Sequence, residues 1–270
     1  MSAHVELQHV RLASKGRRDG VEMVWPRPPA RGVMAVKRAM DVVVGLAGTL
    51  AFLLLYPALA LLIRLDSPGP VLYRQPRVGR ERRSRPRAVK GARADAGGPS
   101  FQIVKFRTMR SEAEAAGPQL CARRDPRVTR VGRLLRAGHL DELPQFLSVL
   151  RGEMSLIGPR PERPVFVMRY VYDVGNYRQR TVHMRPGLLG LSQLVVGYDD
   201  SIEAVQRKVR LDLMYQESLG RFWSWARMEC WVLLRAVWYF APTARGGHRL
   251  SAEPGAPATG SPERRDGRAA

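Results

Sequence analysis

The stretch "HLDELPQF", residues 139–146, sets two carboxylates, Asp141 and Glu142, side by side just ahead of Pro144. Acids at a helix start are ordinarily partners for its positive end, worth a few tenths to about 1 kcal/mol. The neighbouring residues open a second reading. Phosphates also favour helix N-termini, and carboxylates there can share a hard cation such as Mg²⁺ with a substrate diphosphate. An ionised aspartate can also attack phosphorus and form an aspartyl-phosphate. That chemistry needs no histidine, and His139 and His183 read as ordinary polar residues.

In "IGPRPER", Pro159 and Pro161 bracket Arg160. The following proline confines Arg160 to extended backbone angles, so its guanidinium stands on a stiff mount suited to bidentate phosphate contact. Lys105, Arg107 and Arg136 are candidates to complete a cationic cradle around the oxygens of a transferring phosphoryl group.

Several elements must position these groups. "FQIVKFRTM", Phe101 to Met109, alternates as a strand, with Phe101, Ile103, Lys105 and Arg107 sharing one face, so that two cations project together. "PQFLSVLRG" reads as a short helix with Pro144 in its first turn, Phe146, Leu147 and Leu150 on one side, and Gly152 as its stop. From Ser201 a longer helix is expected to bury Ile202, Val205, Val209 and Leu213 and to turn Arg207, Lys208 and Arg210 outward. The stretch 221–240 carries Trp223, Trp225, Trp231 and Trp238, a composition that suits a membrane interface or a core helix.

One segment, Val42 to Ile63, runs 22 residues without a charge. As a helix it would extend roughly 33 Å, a membrane length. Arg27, Arg31, Lys37 and Arg38 precede it and Arg64, Arg74, Arg77 and Arg80 follow it, so both ends read as cytoplasmic. Pro57 removes a backbone hydrogen bond. A break at Tyr56 and Pro57 would let the segment dip into one leaflet and return, whereas a kinked spanning helix is the plainer alternative.

The net charge of +21 implies an acidic partner such as phosphorylated substrates, an anionic membrane or nucleic acid. Only five of the 45 basic residues are lysine, so part of that excess reflects composition. Cys121 and Cys230 form neither a disulfide framework nor a zinc pattern. Residues 1–32 read as a mobile basic tail, 33–66 as the re-entrant helix, 67–240 as the catalytic domain and 241–270 as a disordered tail. Within the domain, the stretch 80–100 reads as a basic loop able to hold anionic headgroups.

The blocks "KRAMDVVVGL", "SPGPVLYRQPRVG", "FQIVKFRTM", "DPRVTRVGRLLR", "LDELPQFLSVLRGEMSLIGPRPERP" and "MRPGLLGLSQL" follow one another as in the bacterial sugar transferases. The chain resembles the compact form of these monotopic phosphoglycosyl transferases from about Lys37 to Tyr215. The resemblance implies an α+β, mostly helical fold: a re-entrant membrane helix, a compact cytoplasmic catalytic domain with a short strand element, and interfacial amphipathic helices. It implies transfer of a sugar 1-phosphate from a UDP-sugar to polyprenyl (undecaprenyl) phosphate at the cytoplasmic face of the inner membrane. Polysaccharide or glycoconjugate assembly would start there, with downstream glycosyltransferases following. By the same resemblance Asp141 is the nucleophile and Mg²⁺ ligand, Glu142 its dyad partner, and Pro159, Arg160 and Pro161 part of the nucleotide-sugar site. An inactive membrane-anchored scaffold of the same fold is an alternative. A nucleic-acid binder is the weaker rival, since neither a zinc pattern nor an aromatic ribonucleoprotein motif is present.

Overall fold

A computed structural model describes residues 14–18, 21–81, 98–115, 117, 125–196 and 201–240. Most of the basic stretch 80–100, Cys121 and the C-terminal 241–270 lie outside the described residues. Among the described residues the architecture is mostly helical, with three two-stranded sheets. Within the stretch read as an N-terminal tail, β1 (Ser14–Arg18) pairs antiparallel with β2 (Val21–Trp25).

The long apolar segment lies inside α1, a 36-residue helix spanning Arg31–Asp66, about 54 Å long at 1.5 Å per residue. It is the one helix among the described residues long and apolar enough to cross a membrane. The helix continues through Pro57, so no interruption separates its halves at Tyr56 and Pro57. Tyr56 instead packs its ring on Phe52 and Phe106, at centroid distances of 5.6 and 6.0 Å. A proline costs a helix one hydrogen bond, and burial of aromatic surface beside it offsets that loss.

One face of α1 is buried along its whole length, through Val33, Lys37, Asp41, Gly45, Phe52 and Ile63. With Thr49 and Leu59 included, the buried positions recur every three, four or seven residues, the spacing of a single helix face. Its first half packs with α5 (Leu191–Val196), α6 (Ile202–Ser218) and α7 (Phe222–Phe240) around Leu194, Tyr215 and Val232. Its second half packs with β3 (Leu72–Val78), β4 (Ser100–Phe106) and α2 (Arg130–Ala137) around Phe106 and Leu135. The opposite face, including Val43, Leu46, Leu50, Leu53 and Leu54, is exposed, Leu54 by 81%. A contiguous apolar stripe of this kind marks a membrane or partner contact.

Polar pairs fasten the helix at several levels. Lys37 donates to Glu229 at 2.9 Å, Ser155 Oγ and the Leu156 amide donate to Asp41, and the Arg38 guanidinium donates to the carbonyls of Val149 and Leu150. At the far end Arg107 donates to the carbonyls of Ile63, Ser67 and Pro68. That end carries the negative pole and unsatisfied carbonyls of the helix, which a guanidinium meets well.

Two details of α6 depart from the sequence expectation. Ile202 is 47% exposed, being the first residue of the helix after its Ser201 cap, whose hydroxyl accepts from the Ala204 amide. Lys208, expected on the outer face, is buried and donates to Glu162 at 3.0 Å. Glu162 also faces Arg180 Nη1 at 3.8 Å, and Arg180 Nε donates to Asp212. Burial pushes the Glu162 carboxyl up, but Lys208, Arg180 and Arg77 outweigh it and bring the pKa down to about 2. A folded pKa below the unfolded one stabilises the fold fully above the ordinary glutamate range, and that contribution is lost as pH falls through the folded value. Glu162→Gln should therefore lower stability at neutral pH. The gap from wild type should close as pH falls from about 5 toward about 2, which denaturant titrations at each pH would record.

Candidate active site

Four elements converge on the acid pair. Asp141 and Glu142 sit in the first turn of a 3-10 helix, Leu140–Gln145, which runs directly into α3 (Phe146–Arg151). The residue before it, His139, has φ 53°, a left-handed conformation that redirects the chain out of α2. Gly152 closes α3 with φ 77°, as glycine readily does. Gly132 of α2 lies so close to the Thr108 backbone that a Cβ there would stand 2.1 Å from its carbonyl oxygen. That approach lets Arg136 donate from Nε to Thr108 Oγ1 at 2.8 Å.

Glu142 is the clamped member of the pair. Lys105 Nζ from β4 and Arg160 Nη2 both donate to its Oε1, at 2.8 and 2.7 Å. Burial pushes its carboxyl up, yet Arg160 and Lys105 outweigh burial and hold it well below the usual carboxylate range. Asp141 behaves oppositely. It is 8% exposed, and its carboxylate makes no hydrogen bond or ion pair with a described residue. Burial pushes it up, Lys105 pulls it down, Glu142 adds to the rise, and the net direction is upward. One carboxylate is thus locked in its charged form while its neighbour stays underpaired and available.

The structure brings Lys105, Arg136, Asp141, Glu142 and Arg160 together. Arg160 does project from between Pro159 and Pro161, whose carbonyls accept from the Gly187 amide and Arg77 Nη1. Arg107 is not part of this group. β4 ends at Phe106, and the guanidinium of Arg107 turns to the end of α1 and Ser111. Period-2 counting carried the alternation past the strand end, where the backbone no longer holds it. The reading also missed the ring around Glu162 and the anchor at Glu229. Both pair residues distant in the chain, so neither leaves a local signal.

One carboxylate is left that could hold Mg²⁺ together with substrate phosphates. Among the described residues there is no cluster of three or more acid, histidine or cysteine ligands, and Mg²⁺ is commonly bound through one or two carboxylates with substrate phosphates and water. Asp141, underpaired beside Glu142, is the residue that would hold it.

Three cations facing two acids leave a net positive charge that suits an anion, and Arg160, held on Glu142, would offer it a planar fork. Arg160→Lys keeps the charge and loses the planar fork. Steady-state kinetics should show kcat/KM reduced about 100-fold, as for loss of one oxyanion donor, with membrane association retained. Near-normal turnover would place Arg160 outside the machinery.

The chain is 39% identical over 180 residues to the UDP-N-acetylgalactosamine-undecaprenyl-phosphate N-acetylgalactosaminephosphotransferase of Aeromonas hydrophila, covering 67% of this chain and 38% of that protein. It is 39% identical over 204 residues to the UDP-glucose:undecaprenyl-phosphate glucose-1-phosphate transferase of Caulobacter vibrioides, covering 74% of this chain and 68% of the other. The Escherichia coli protein of that same name is 36% identical over 193 residues, 69% of this chain and 37% of its own length. The chain therefore spans well under half of two of these relatives. The family profile of the bacterial sugar transferases matches residues 32–241, from the first turn of α1 past the end of α7. With the acid pair, its cations and α1 all inside that match, the chain belongs to the bacterial sugar transferase family.

Proposed function

We propose that the protein transfers a sugar 1-phosphate from a UDP-sugar to polyprenyl phosphate, through a covalent phosphosugar on Asp141, at the cytoplasmic face of the bacterial inner membrane. The observation that carries this reading is the asymmetric acid pair: Glu142 bound by Lys105 and Arg160, Asp141 buried and underpaired. Relatives named for undecaprenyl-phosphate sugar phosphate transfer support the same reaction class.

The residues divide the work. An Asp141 oxygen attacks the sugar-bearing phosphorus. Lys105, Arg136 and Arg160 offset the repulsion between carboxylate and diphosphate and face the charge that develops on the phosphoryl oxygens. Glu142 keeps Lys105 and Arg160 oriented. Bound Mg²⁺ would add charge neutralisation of the diphosphate. The polyprenyl phosphate then takes the sugar phosphate from Asp141, and the lipid-linked product enters glycan assembly by downstream glycosyltransferases.

Burial of both halves of α1 against one catalytic body supports an α1 that bends at Pro57 without ceasing to be helix, and so enters and leaves a single leaflet. A helix crossing the bilayer would carry one half away from that body, and the halves would then not share it. The exposed stripe from Val43 to Leu54 faces lipid, and exposed Trp223 and Trp231 of α7 sit at the interface. Single cysteines replacing Arg27 and Pro70, in a background lacking Cys121 and Cys230, should both resist an impermeant thiol reagent in intact cells. Labelling of one alone would show a spanning helix.

The reaction is tested by screening UDP-sugars with undecaprenyl phosphate for UMP release. One UDP-sugar should turn over and the others should not. Absence of turnover with every UDP-sugar, by folded protein in lipid, would overturn the reading.

A further inference from the structure

We propose that a cationic pocket next to Arg160 is the subsite for the phosphate of the nucleotide leaving group, with Arg178 and Arg180 as its ligands. This rests on the transfer reaction proposed above. The pocket is a small, partly open hollow lined by Arg160, Glu162, Tyr177, Arg178, Arg180 and Thr181, among others. Three guanidiniums face one carboxylate there, and that carboxylate is already engaged by Lys208 from outside the lining.

The arginines have unspent donors. Arg180 is 3% exposed; its Nε donates to Asp212 and its Nη1 faces Glu162, but its Nη2 has no hydrogen-bond partner among the described residues. The buried Nε of Arg178 also has none. Buried donors left unpaired are costly, and an oxyanion seated between these two would satisfy both. Tyr177, stacked 4.9 Å from the Arg180 guanidinium, and the pairing to Asp212 hold Arg180 in place. A preorganised pair of donors for an oxyanion results.

Position selects the anion. Arg160 belongs both to this pocket and to the acid pair, so one guanidinium links the attacked phosphorus to the pocket. In the transfer step a bond forms between an Asp141 oxygen and the sugar-bearing phosphorus as the bond from that phosphorus to the bridging oxygen breaks. The electron pair stays on the bridging oxygen and leaves with the nucleoside monophosphate, whose phosphate gains one negative charge. Arg178 and Arg180 receive that charge. The pocket lining comes from Val78 at the end of β3, the Arg160 loop, α4 (Pro164–Asp173) and the turn Tyr177–Thr181, and none of it from α1. A water-soluble nucleotide reaches it more readily than a lipid phosphate held at α1.

The test uses the full chain in lipid nanodiscs. Arg178→Gln should raise KM for the UDP-sugar and the inhibition constant of UMP about tenfold each, and leave KM for undecaprenyl phosphate unchanged. In wild type, saturating UMP should protect Arg178 from phenylglyoxal, read by peptide mass spectrometry, which does not depend on the variant folding. A rise in KM for the lipid alone, or no protection by UMP, overturns the subsite. If wild-type protein turns over a UDP-sugar while Arg178→Gln matches it in every constant, the subsite fails and the transfer reaction stands. If no UDP-sugar turns over, the transfer reaction fails, and UMP protection of Arg178 then reads the nucleotide site by itself.

Discussion

Asp141→Asn should abolish turnover and the covalent adduct while leaving the protein at least as stable as wild type. The asparagine keeps the volume and removes the nucleophilic charge, so kcat should fall by about 10⁴-fold or more, the scale of losing an attacking residue. Stability moves the other way because Asp141 is 8% exposed beside Glu142, and burial, the largest influence on its carboxyl, raises its pKa from the ordinary aspartate value. Relieving that burden should add something of order 1 kcal/mol. In wild type, UMP should appear before any lipid is added, kinetics should be ping-pong, and intact mass should rise by one sugar phosphate, mapped to Asp141. UMP formation only in the presence of lipid, with intersecting-line kinetics, would establish direct transfer and leave Asp141 as a ligand or base. Opposite signs on activity and stability separate a reactive group from a structural one, since a structural acid loses both.

Glu229→Gln should be the most damaging single change far from the acid pair. Glu229 Oε1 accepts from Lys37 Nζ at 2.9 Å, and its Oε2 accepts from Tyr215 and Trp225 at 2.6 and 3.1 Å. Both Lys37 and Glu229 are buried, at 2% and 3% exposure. Glutamine retains the shape and leaves the Lys37 ammonium buried without a counter-charge, a loss of about 3–5 kcal/mol when one partner of such a pair is removed. Denaturant unfolding in nanodiscs should show this loss. Adding Lys37→Met to Glu229→Gln should recover most of it, because the uncompensated ammonium is gone while the glutamine carbonyl still accepts from Tyr215 and Trp225. A Glu229→Gln protein within about 0.5 kcal/mol of wild type would mean that water reaches Lys37.

Local chemistry made much of the chain legible. The run Val42 to Ile63 announces a membrane-length helix by hydropathy alone, and Pro144 and Gly152 mark the start and stop of the helical segment beside the acid pair through their backbone angles. Asp141, Glu142 and Arg160 are adjacent in type and spacing to chemistry they can perform, and flanking prolines confine Arg160 before any tertiary contact forms. The hairpin at the N-terminus was not legible, because its strands carry no clean alternation.

Tertiary structure decided how the charges are spent. Lys105 and Arg107 are two residues apart, yet one reaches Glu142 and the other caps α1, because the strand that would align them ends at Phe106. Lys208 looks like a surface residue until Glu162, 46 positions away, draws it inward. Which of two neighbouring acids is clamped and which stays underpaired depends on where Lys105 and Arg160 arrive, and those come from opposite sides of the acid pair in sequence. Sequence supplies the identities and local conformations because these act within a turn or a strand. Electrostatic roles fall outside its reach because Coulomb energy depends on distances and burial that only the packed chain sets.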